Sequence, residues 1–165
     1  MSDDNTIDTG VITQRFRALP TEAALRRILV VDDDELARAL ISDRLQHHGF
    51  DVTQASDGMA AMKLMDSQGF PVLLVDWRMP EMDGIELTQQ LRARGLQDTY
   101  VVMLTSKDGD VDFEQGYLAG VDDYLSKKMR DVELLARIHS AFTTYSLRRD
   151  LRETRAELAA VRAAK

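Results

Sequence analysis

Short, uninterrupted apolar runs are the feature that most constrains the fold of this chain. Residues 28–31, 71–75 and 100–104 each consist of apolar or aromatic residues alone. Runs of this length are typical of strands that are buried on both faces, as parallel sheets require. The chain is therefore expected to build a sheet that is covered on both sides.

Helical patterns lie between these runs. The first helix is expected to have one apolar face, and Gly49 is placed to end it. The members of that face are Leu36, Ala37, Leu40, Ile41 and Leu45. A short fourth helix, which stops at Gly120, is marked by Phe113, Tyr117 and Leu118.

The predicted elements alternate strictly between strand and helix. They are β1 (28–32), α1 (34–48), β2 (51–55), α2 (57–68), β3 (71–76), α3 (84–94), β4 (100–105), α4 (110–119), β5 (122–126) and α5 (from 131). Five strands that alternate with five helices predict an α/β fold with a doubly wound sheet. Right-handed crossovers between parallel strands then restrict the topology sharply.

The two ends of the chain differ from this pattern. Residues 1–26 lack a steady apolar period and are expected to form a flexible N-terminal arm. After Gly120 the chain has no Gly or Pro, so α5 is expected to continue through residues 144–165. There Leu147, Leu151, Thr154, Leu158 and Val161 recur at the spacing of a coiled-coil seam. About three heptads make pairing marginal on its own.

Composition excludes several classes of function. The net charge is −7, and residues 28–143 carry −10 of it, whereas the last 22 residues carry +3. An acidic middle segment argues against direct nucleic-acid binding and suits a site that recruits a cation. No apolar run approaches the roughly 18 residues of a membrane span. The polar start and the absence of cysteine favour a cytoplasmic protein without disulfides or thiolate metal sites.

The residues that carry chemistry follow the predicted strands. Asp32 and Asp33 come after β1, Asp76 ends β3, Thr105 ends β4, and Lys127 follows β5. The carboxyl ends of strands in an open parallel sheet meet at one crevice, where ligands bind. Carboxylates, a hydroxyl and an ammonium gathered there suit a divalent cation that holds a phosphoryl group. A carboxylate such as Asp76 can act as a nucleophile toward phosphorus.

The segment from Val75 to Gly84, VDWRMPEMDG, resembles the phosphorylation loop of two-component response regulators. Together with the residues at the other strand ends, it extends the resemblance to a receiver domain over residues 27–143. The resemblance implies a flavodoxin-like sheet in the order 2-1-3-4-5, with Asp76 as phosphoacceptor. It also implies a Mg²⁺ ion bound by Asp33, Asp76 and the backbone carbonyl of Arg78, and by Asp32 through a water molecule.

The same resemblance assigns roles to three further residues. Thr105 and Lys127 would contact phosphoryl oxygens, and Tyr124 would follow the movement of Thr105 as the switch aromatic. The α4–β5–α5 face would then change. The protein would be a phosphoacceptor with slow self-dephosphorylation and no enzymatic turnover. The third acid, Asp34, is instead placed to cap the first helix at its N-terminus.

One position departs from the receiver pattern. Receivers usually carry a proline after the lysine, joined by a cis peptide bond, whereas this chain has Lys127-Lys128. A cis bond before a residue other than proline costs roughly 2.5–4 kcal/mol. We therefore predict a trans peptide bond and a reshaped β5–α5 loop.

These observations favour a signalling receiver. It would take its phosphoryl group from a histidine kinase or a phosphotransfer protein and act on an effector, with a nucleotide cyclase as one candidate. A homodimer would form through the C-terminal helix.

A free-standing receiver that binds another protein is the alternative. A phosphohydrolase of the haloacid-dehalogenase type is disfavoured, because Arg78 stands where that family has a second aspartate and the chain has no cap domain.

Overall fold

The computed structural model describes residues 26–106 and 113–164. Its strands are β1 (Arg27–Val31), β2 (Asp51–Ala55), β3 (Val72–Asp76), β4 (Tyr100–Thr105) and β5 (Asp123–Ser126). Its helices are α1 (Glu35–His47), α2 (Gly58–Gln68), α3 (Gly84–Ala93), α4 (Phe113–Ala119) and α5 (Asp131–Ala163). The predicted flexible arm, apart from Arg26, and the predicted start of α4 at 110–112 lie outside the described residues.

The sheet has five parallel strands in the order β2-β1-β3-β4-β5. This confirms the predicted flavodoxin-like, doubly wound α/β fold. The strand order reverses between β1 and β3, so the connections that leave these two strands run to opposite sides of the sheet. Such a switch point leaves a crevice at the carboxyl ends of the strands.

The core explains why the strand sequences are apolar at every position. Leu29 and Val31 of β1 face a cluster that includes α2 and α3, whereas Ile28 and Val30 face a cluster that includes α1 and α5. Side chains alternate along a strand, so a strand covered on both faces needs apolar residues throughout. The sheet is thus held at fixed register by two apolar layers.

The predicted single apolar face of α1 is wrong. Ile41 and Leu45 are buried against the sheet, but Leu36 and Leu40 are 68% and 55% exposed. At 3.6 residues per turn, these pairs form two stripes well over 90° apart, and only one of them can face the sheet. The exposed pair therefore lies on the solvent side of α1.

Helix α4 is present, as predicted, but its large apolar residues do not form its buried face. Phe113, Tyr117 and Leu118 are all exposed, and the helix is buried at Gly116 and Ala119. The ring of Tyr124 occupies the space beside Gly116, so a Cβ atom at position 116 would lie 1.7 Å from the Tyr124 hydroxyl oxygen. The helix can approach β5 only where its side chains are small.

Helix α5 is continuous over 33 residues, as predicted, and would extend about 50 Å. Its first turns are buried through residues such as Leu134, Ile138 and Phe142. The predicted seam residues in the later turns are exposed in the single chain. Within the described part of the chain, no helix combines the length and apolar character that crossing a bilayer would require.

Two ion pairs attach the middle of α5 to the domain. Arg148 lies 2.5 Å from a carboxylate oxygen of Asp122, and Arg152 lies 2.6 Å from one of Asp98. Asp122 also accepts hydrogen bonds from Arg92 and from the backbone N–H of Val101. The start of the exposed helix therefore has a defined direction relative to the sheet.

Candidate functional site

Three carboxylates converge at the carboxyl edge of the sheet. The register pairs Val31 with Val75, which places the following residues, Asp32 and Asp76, side by side. Asp33 adds a third carboxylate, and one oxygen from each of the three lies within 4.8 Å of the others. Asp32 is fully buried and Asp76 is 7% exposed, whereas Asp33 is exposed. The cluster therefore has a buried floor and one side open to solvent.

Lys127 reaches this cluster from the turn after β5. Its Nζ atom lies 2.7 Å from Asp32 Oδ2 and 3.1 Å from Asp76 Oδ1. The backbone N–H of Lys127 donates to the carbonyl of Thr105 at 2.9 Å, which fixes the start of the turn to the end of β4. The ammonium thus bridges two of the three carboxylates.

Burial and charge both affect protonation in the cluster. Burial raises the pKa of Asp76 to about 6, and the nearby charge of Asp32 adds to this effect, while Lys127 opposes it. Burial disfavours the ammonium of Lys127, but its ion pairs with Asp32 and Asp76 outweigh that cost and raise its pKa. At pH 7, Asp76 is therefore mostly ionised and Lys127 is charged.

The donor set fits a divalent cation. Among the described residues, Lys127 is the one cationic side chain that contacts these carboxylates, so two negative charges are left uncompensated. Mg²⁺ prefers oxygen ligands and is typically held by one or two carboxylates together with water and phosphate oxygens. Asp32, Asp33 and Asp76 would hold it. Arg78 lies exposed in the loop after β3, and a role for its carbonyl remains a prediction.

Asp34 does not join the cluster, as predicted. Its side chain accepts hydrogen bonds from the backbone N–H groups of Leu36 and Ala37, at 2.9 and 3.1 Å, and so caps α1. The backbone N–H of Asp34 donates to Asp32 Oδ1 at 2.9 Å. Asp34 therefore caps α1 with its side chain and orients the carboxylate of Asp32 with its backbone.

The loop after Asp76 is fixed by its own sequence. Met82 donates its backbone N–H to the carbonyl of Pro80 at 2.8 Å, which forms a tight turn with Glu81 at φ 68°. Asp83 and Glu86 cap α3 reciprocally. A Cβ at Gly84 would lie 2.5 Å from the backbone oxygen of Asp76, so only glycine allows α3 to start this close to the site.

The two predicted switch residues lie on strands β4 and β5. Thr105 is the partly exposed last residue of β4. The ring of Tyr124 packs edge-on against Phe113, with centroids 4.8 Å apart, and lies 6.0 Å from the ring of Trp77. Tyr124 thus contacts both α4 and the residue after Asp76. The switching roles of Thr105 and Tyr124 remain predictions.

The turn that carries Lys127 is compact. No peptide bond among the described residues is cis, so the trans bond predicted between Lys127 and Lys128 is confirmed. Met129 donates its backbone N–H to the carbonyl of Ser126 at 2.9 Å, and that of Lys128 donates to Ser126 Oγ at 3.2 Å. Ser126 therefore closes the turn from both its backbone and its side chain.

Sequence reasoning missed two arginines of α1 that contact the surroundings of the site. Arg38 Nη1 donates to the backbone carbonyl of Asp32 at 2.7 Å. Arg44 contacts Met129 and Asp131 at the far side of the turn that carries Lys127. No local spacing identifies Arg44, because its partners lie 85 or more residues away in the sequence.

Comparisons with known proteins agree with this arrangement. The family model described as response regulator receiver domain matches residues 28–139. The chain is 39% identical over 136 residues to response regulator MprA of Mycobacterium bovis, covering 82% of this chain and 56% of the relative. It is 38% identical over 113 residues to alkaline phosphatase synthesis transcriptional regulatory protein PhoP of Bacillus subtilis, covering 68% of this chain and 47% of the relative.

A solved structure of a probable two-component system response regulator/GGDEF domain protein is also similar. It aligns with a TM-score of 0.67 at 27% identity, over 73% of this chain and 50% of that chain. The chain therefore spans about half the length of these relatives.

The raised pKa of Asp76 predicts a pH-dependent difference in stability. Folding favours the protonated acid, so ionisation of Asp76 costs stability once the pH exceeds its unfolded value of 3.8. In EDTA, we expect Asp76→Asn to exceed the wild type in free energy of unfolding by up to about 3 kcal/mol at pH 7.5. The difference should grow between pH 4 and about 6, level off above that, and be measurable by urea denaturation.

Asp66→Asn, which removes an exposed carboxylate paired with Arg94, is the matched control and should show no such profile. A stability difference between Asp76→Asn and the wild type that does not vary with pH would contradict the assigned burial of Asp76.

Proposed function

We propose, since this chain belongs to the response regulator receiver family, that it accepts a phosphoryl group on Asp76 from a histidine kinase or a phosphotransfer protein. The observation that carries the proposal is the contact of one ammonium, Lys127 Nζ, with Asp32 and Asp76 inside a cluster of three carboxylates. In this proposal Asp76 is the nucleophile, the three carboxylates form the cation pocket, and Lys127 supplies a positive charge beside them.

In the proposed step, a carboxylate oxygen of Asp76 attacks the phosphorus of a phosphohistidine. The new O–P bond forms as the P–N bond breaks, and the electron pair of that bond stays on the departing imidazole nitrogen. Lys127 lies 3.1 Å from the attacking carboxylate and can pair with a phosphoryl oxygen as negative charge moves toward it. The hydroxyl of Thr105 would donate to another phosphoryl oxygen.

The chain's contribution is therefore mainly positioning and electrostatic stabilisation. A Mg²⁺ ion held by Asp33, Asp76 and the carbonyl of Arg78, with Asp32 acting through water, would supply charge compensation for the phosphoryl oxygens. We propose that the protein is a phosphoacceptor with slow self-dephosphorylation and not an enzyme.

The output would pass from Tyr124 to α5. Phosphorylation adds about −1.5 to −2 charges at Asp76, and in this proposal Thr105 and Tyr124 respond by moving. Asp122 lies two residues before Tyr124 and pairs with Arg148 of α5. A shift of the α4–β5–α5 face would therefore alter the direction of the long helix relative to the sheet.

We further propose that the long helix connects the receiver, residues 27–143, to an effector through a paired segment at 144–165. A nucleotide cyclase is one candidate effector, and a receiver structure similar to this chain belongs to a protein described as a response regulator/GGDEF domain protein. The relative from Bacillus subtilis is described as a transcriptional regulatory protein. We propose that residues 27–165 lie in the cytoplasm and make no direct contact with nucleic acid.

A free-standing receiver that acts on a partner protein is the second candidate. The exposed Leu36 and Leu40 on α1 are compatible with such binding. The haloacid-dehalogenase alternative is not retained, because the receiver family model covers residues 28–139.

The phosphoacceptor can be identified with acetyl phosphate and Mg²⁺. We expect the wild type to gain the mass of one phosphoryl group in intact-mass spectrometry and Asp76→Asn to gain none, because the nucleophilic oxygen is lost. Asp34→Asn is the matched control, since asparagine also caps helices well and Asp34 lies outside the cluster. Labelling of Asp76→Asn to the wild-type level would rule out Asp76 as the acceptor.

The proposed homodimer depends on the exposed seam of α5. Burial of one leucine side chain in the seam stabilises the dimer by roughly 1.5–3 kcal/mol, and a symmetric dimer buries two copies of each leucine. We therefore expect Leu158→Glu to weaken self-association by at least about a hundredfold in sedimentation equilibrium. Ala156→Glu places the same charge on the opposite face of the helix and should leave association unchanged. Equal effects of the two substitutions would show that the seam does not mediate pairing.

A further inference from the structure

We infer that Arg44 is a positioning residue of the phosphoacceptor site, which keeps Lys127 within reach of Asp76 by fixing the β5–α5 turn. The inference rests on the proposed function, because it concerns the ammonium that is to meet the phosphoryl group. Within the described part of the chain, the Arg44 side chain contacts Met129 and Asp131 rather than Asp76 or Lys127.

Arg44 lies in the last turn of α1 and contacts the turn at two points. Its Nε atom lies 2.6 Å from Asp131 Oδ1, and its Nη2 atom donates to the backbone carbonyl of Met129 at 3.0 Å. Its Nη1 atom lies 3.8 Å from Met129 Sδ. Met129 is buried, and the Arg44 side chain is 26% exposed. One planar guanidinium therefore holds both the end of the turn and the first residue of α5.

The backbone that is held in this way determines the position of Lys127. The turn begins at Lys127, whose N–H is bonded to Thr105, and ends at Met129, whose carbonyl accepts from Arg44. Residue 128 is a lysine and not a proline, so its φ angle is not restricted by a ring. Arg44 thus adds a tertiary constraint to the local hydrogen bonds by which Ser126 closes the turn.

The geometry also explains why arginine is needed. An exposed ion pair between Arg44 and Asp131 would by itself contribute little. The fork of a guanidinium can donate to a carboxylate and a carbonyl simultaneously in fixed directions, whereas an ammonium is a single flexible point charge. A lysine at position 44 should keep the charge but lose the simultaneous hold on Met129 and Asp131.

The test is a double-mutant cycle on the rate of labelling by acetyl phosphate at saturating Mg²⁺. We expect Arg44→Ala to slow labelling about tenfold, the effect of one lost charge-assisted hydrogen bond transmitted to Lys127. Arg44→Lys should restore only part of the rate. In a Lys127→Ala background, Arg44→Ala should have no further effect, because the group that it positions is absent. Arg94→Ala removes an exposed ion pair with Asp66 and is the matched control.

Binding of Mg²⁺ separates this role from general damage to the site. Trp77 is the chain's one tryptophan and directly follows Asp76, so its fluorescence can report cation binding. Arg44→Ala should not weaken Mg²⁺ binding, since the contacts of Arg44 lie on the turn and not on the three carboxylates. An unchanged labelling rate, or an equal slowing with and without Lys127, would overturn the inference while leaving Asp76 as the acceptor.

A second measurement does not depend on phosphoryl transfer. The chain has five lysines, and the Lys127 signal can be assigned in the NMR spectrum of labelled lysine side chains by comparison with Lys127→Ala. Arg44→Ala should shift that signal and Arg94→Ala should not. If wild-type protein took up no label, the proposed function would fail, and an unmoved Lys127 signal would separately reject the positioning role of Arg44.

Discussion

The sheet holds more negative than positive charge together at its carboxyl edge, and the proposed chemistry of the site depends on this excess. Asp32, Asp33 and Asp76 bring three carboxylates within 4.8 Å of one another, and Lys127 offers one positive charge to two of them. Like charges at such distances repel strongly where water is excluded. Burial and this repulsion together raise the pKa of Asp76. The folded chain thus retains an unfavourable arrangement that a divalent cation would relieve.

Burial of the apolar layers on both faces of the sheet offsets the unfavourable free energy of this charge cluster. The central strands β1 and β3 are wholly buried in their apolar parts, so their register does not slip. The carboxylates that follow them therefore have little freedom to separate. Gly84 allows α3 to begin against the backbone of Asp76, which makes the loop after β3 equally fixed.

Much of this could be predicted from the sequence because it depends on local patterns. Continuous apolar runs predict buried parallel strands, and Asp32 and Asp76 converge because each follows such a run. Lys127 joins them because it follows the short strand β5 at the same edge of the sheet. The buried face of α1 was harder to assign, since periodicity shows that an apolar face exists but not which of two stripes meets the sheet. The burial of Gly116 depends on the ring of Tyr124, which reaches it across the sheet edge.

Arg38, Arg44 and Asp122 were not predicted because their partners are distant in the sequence or lie in the backbone. These contacts nevertheless join the site to the rest of the chain. Arg44 links α1 to the turn that carries Lys127, and Asp122 links β5 to the long helix. The site and the long helix are therefore attached to the same strand, one at each end of β5.

Titration of Mg²⁺ by calorimetry tests the central claim most directly, namely that the three carboxylates form a cation site. We predict one site per chain in the wild type and at least about tenfold weaker binding in Asp33→Asn, which removes one charge from the cluster without disturbing its buried floor. Asp34→Asn should bind as the wild type does. Absence of binding in the wild type, or equal affinity in Asp33→Asn, would contradict this claim.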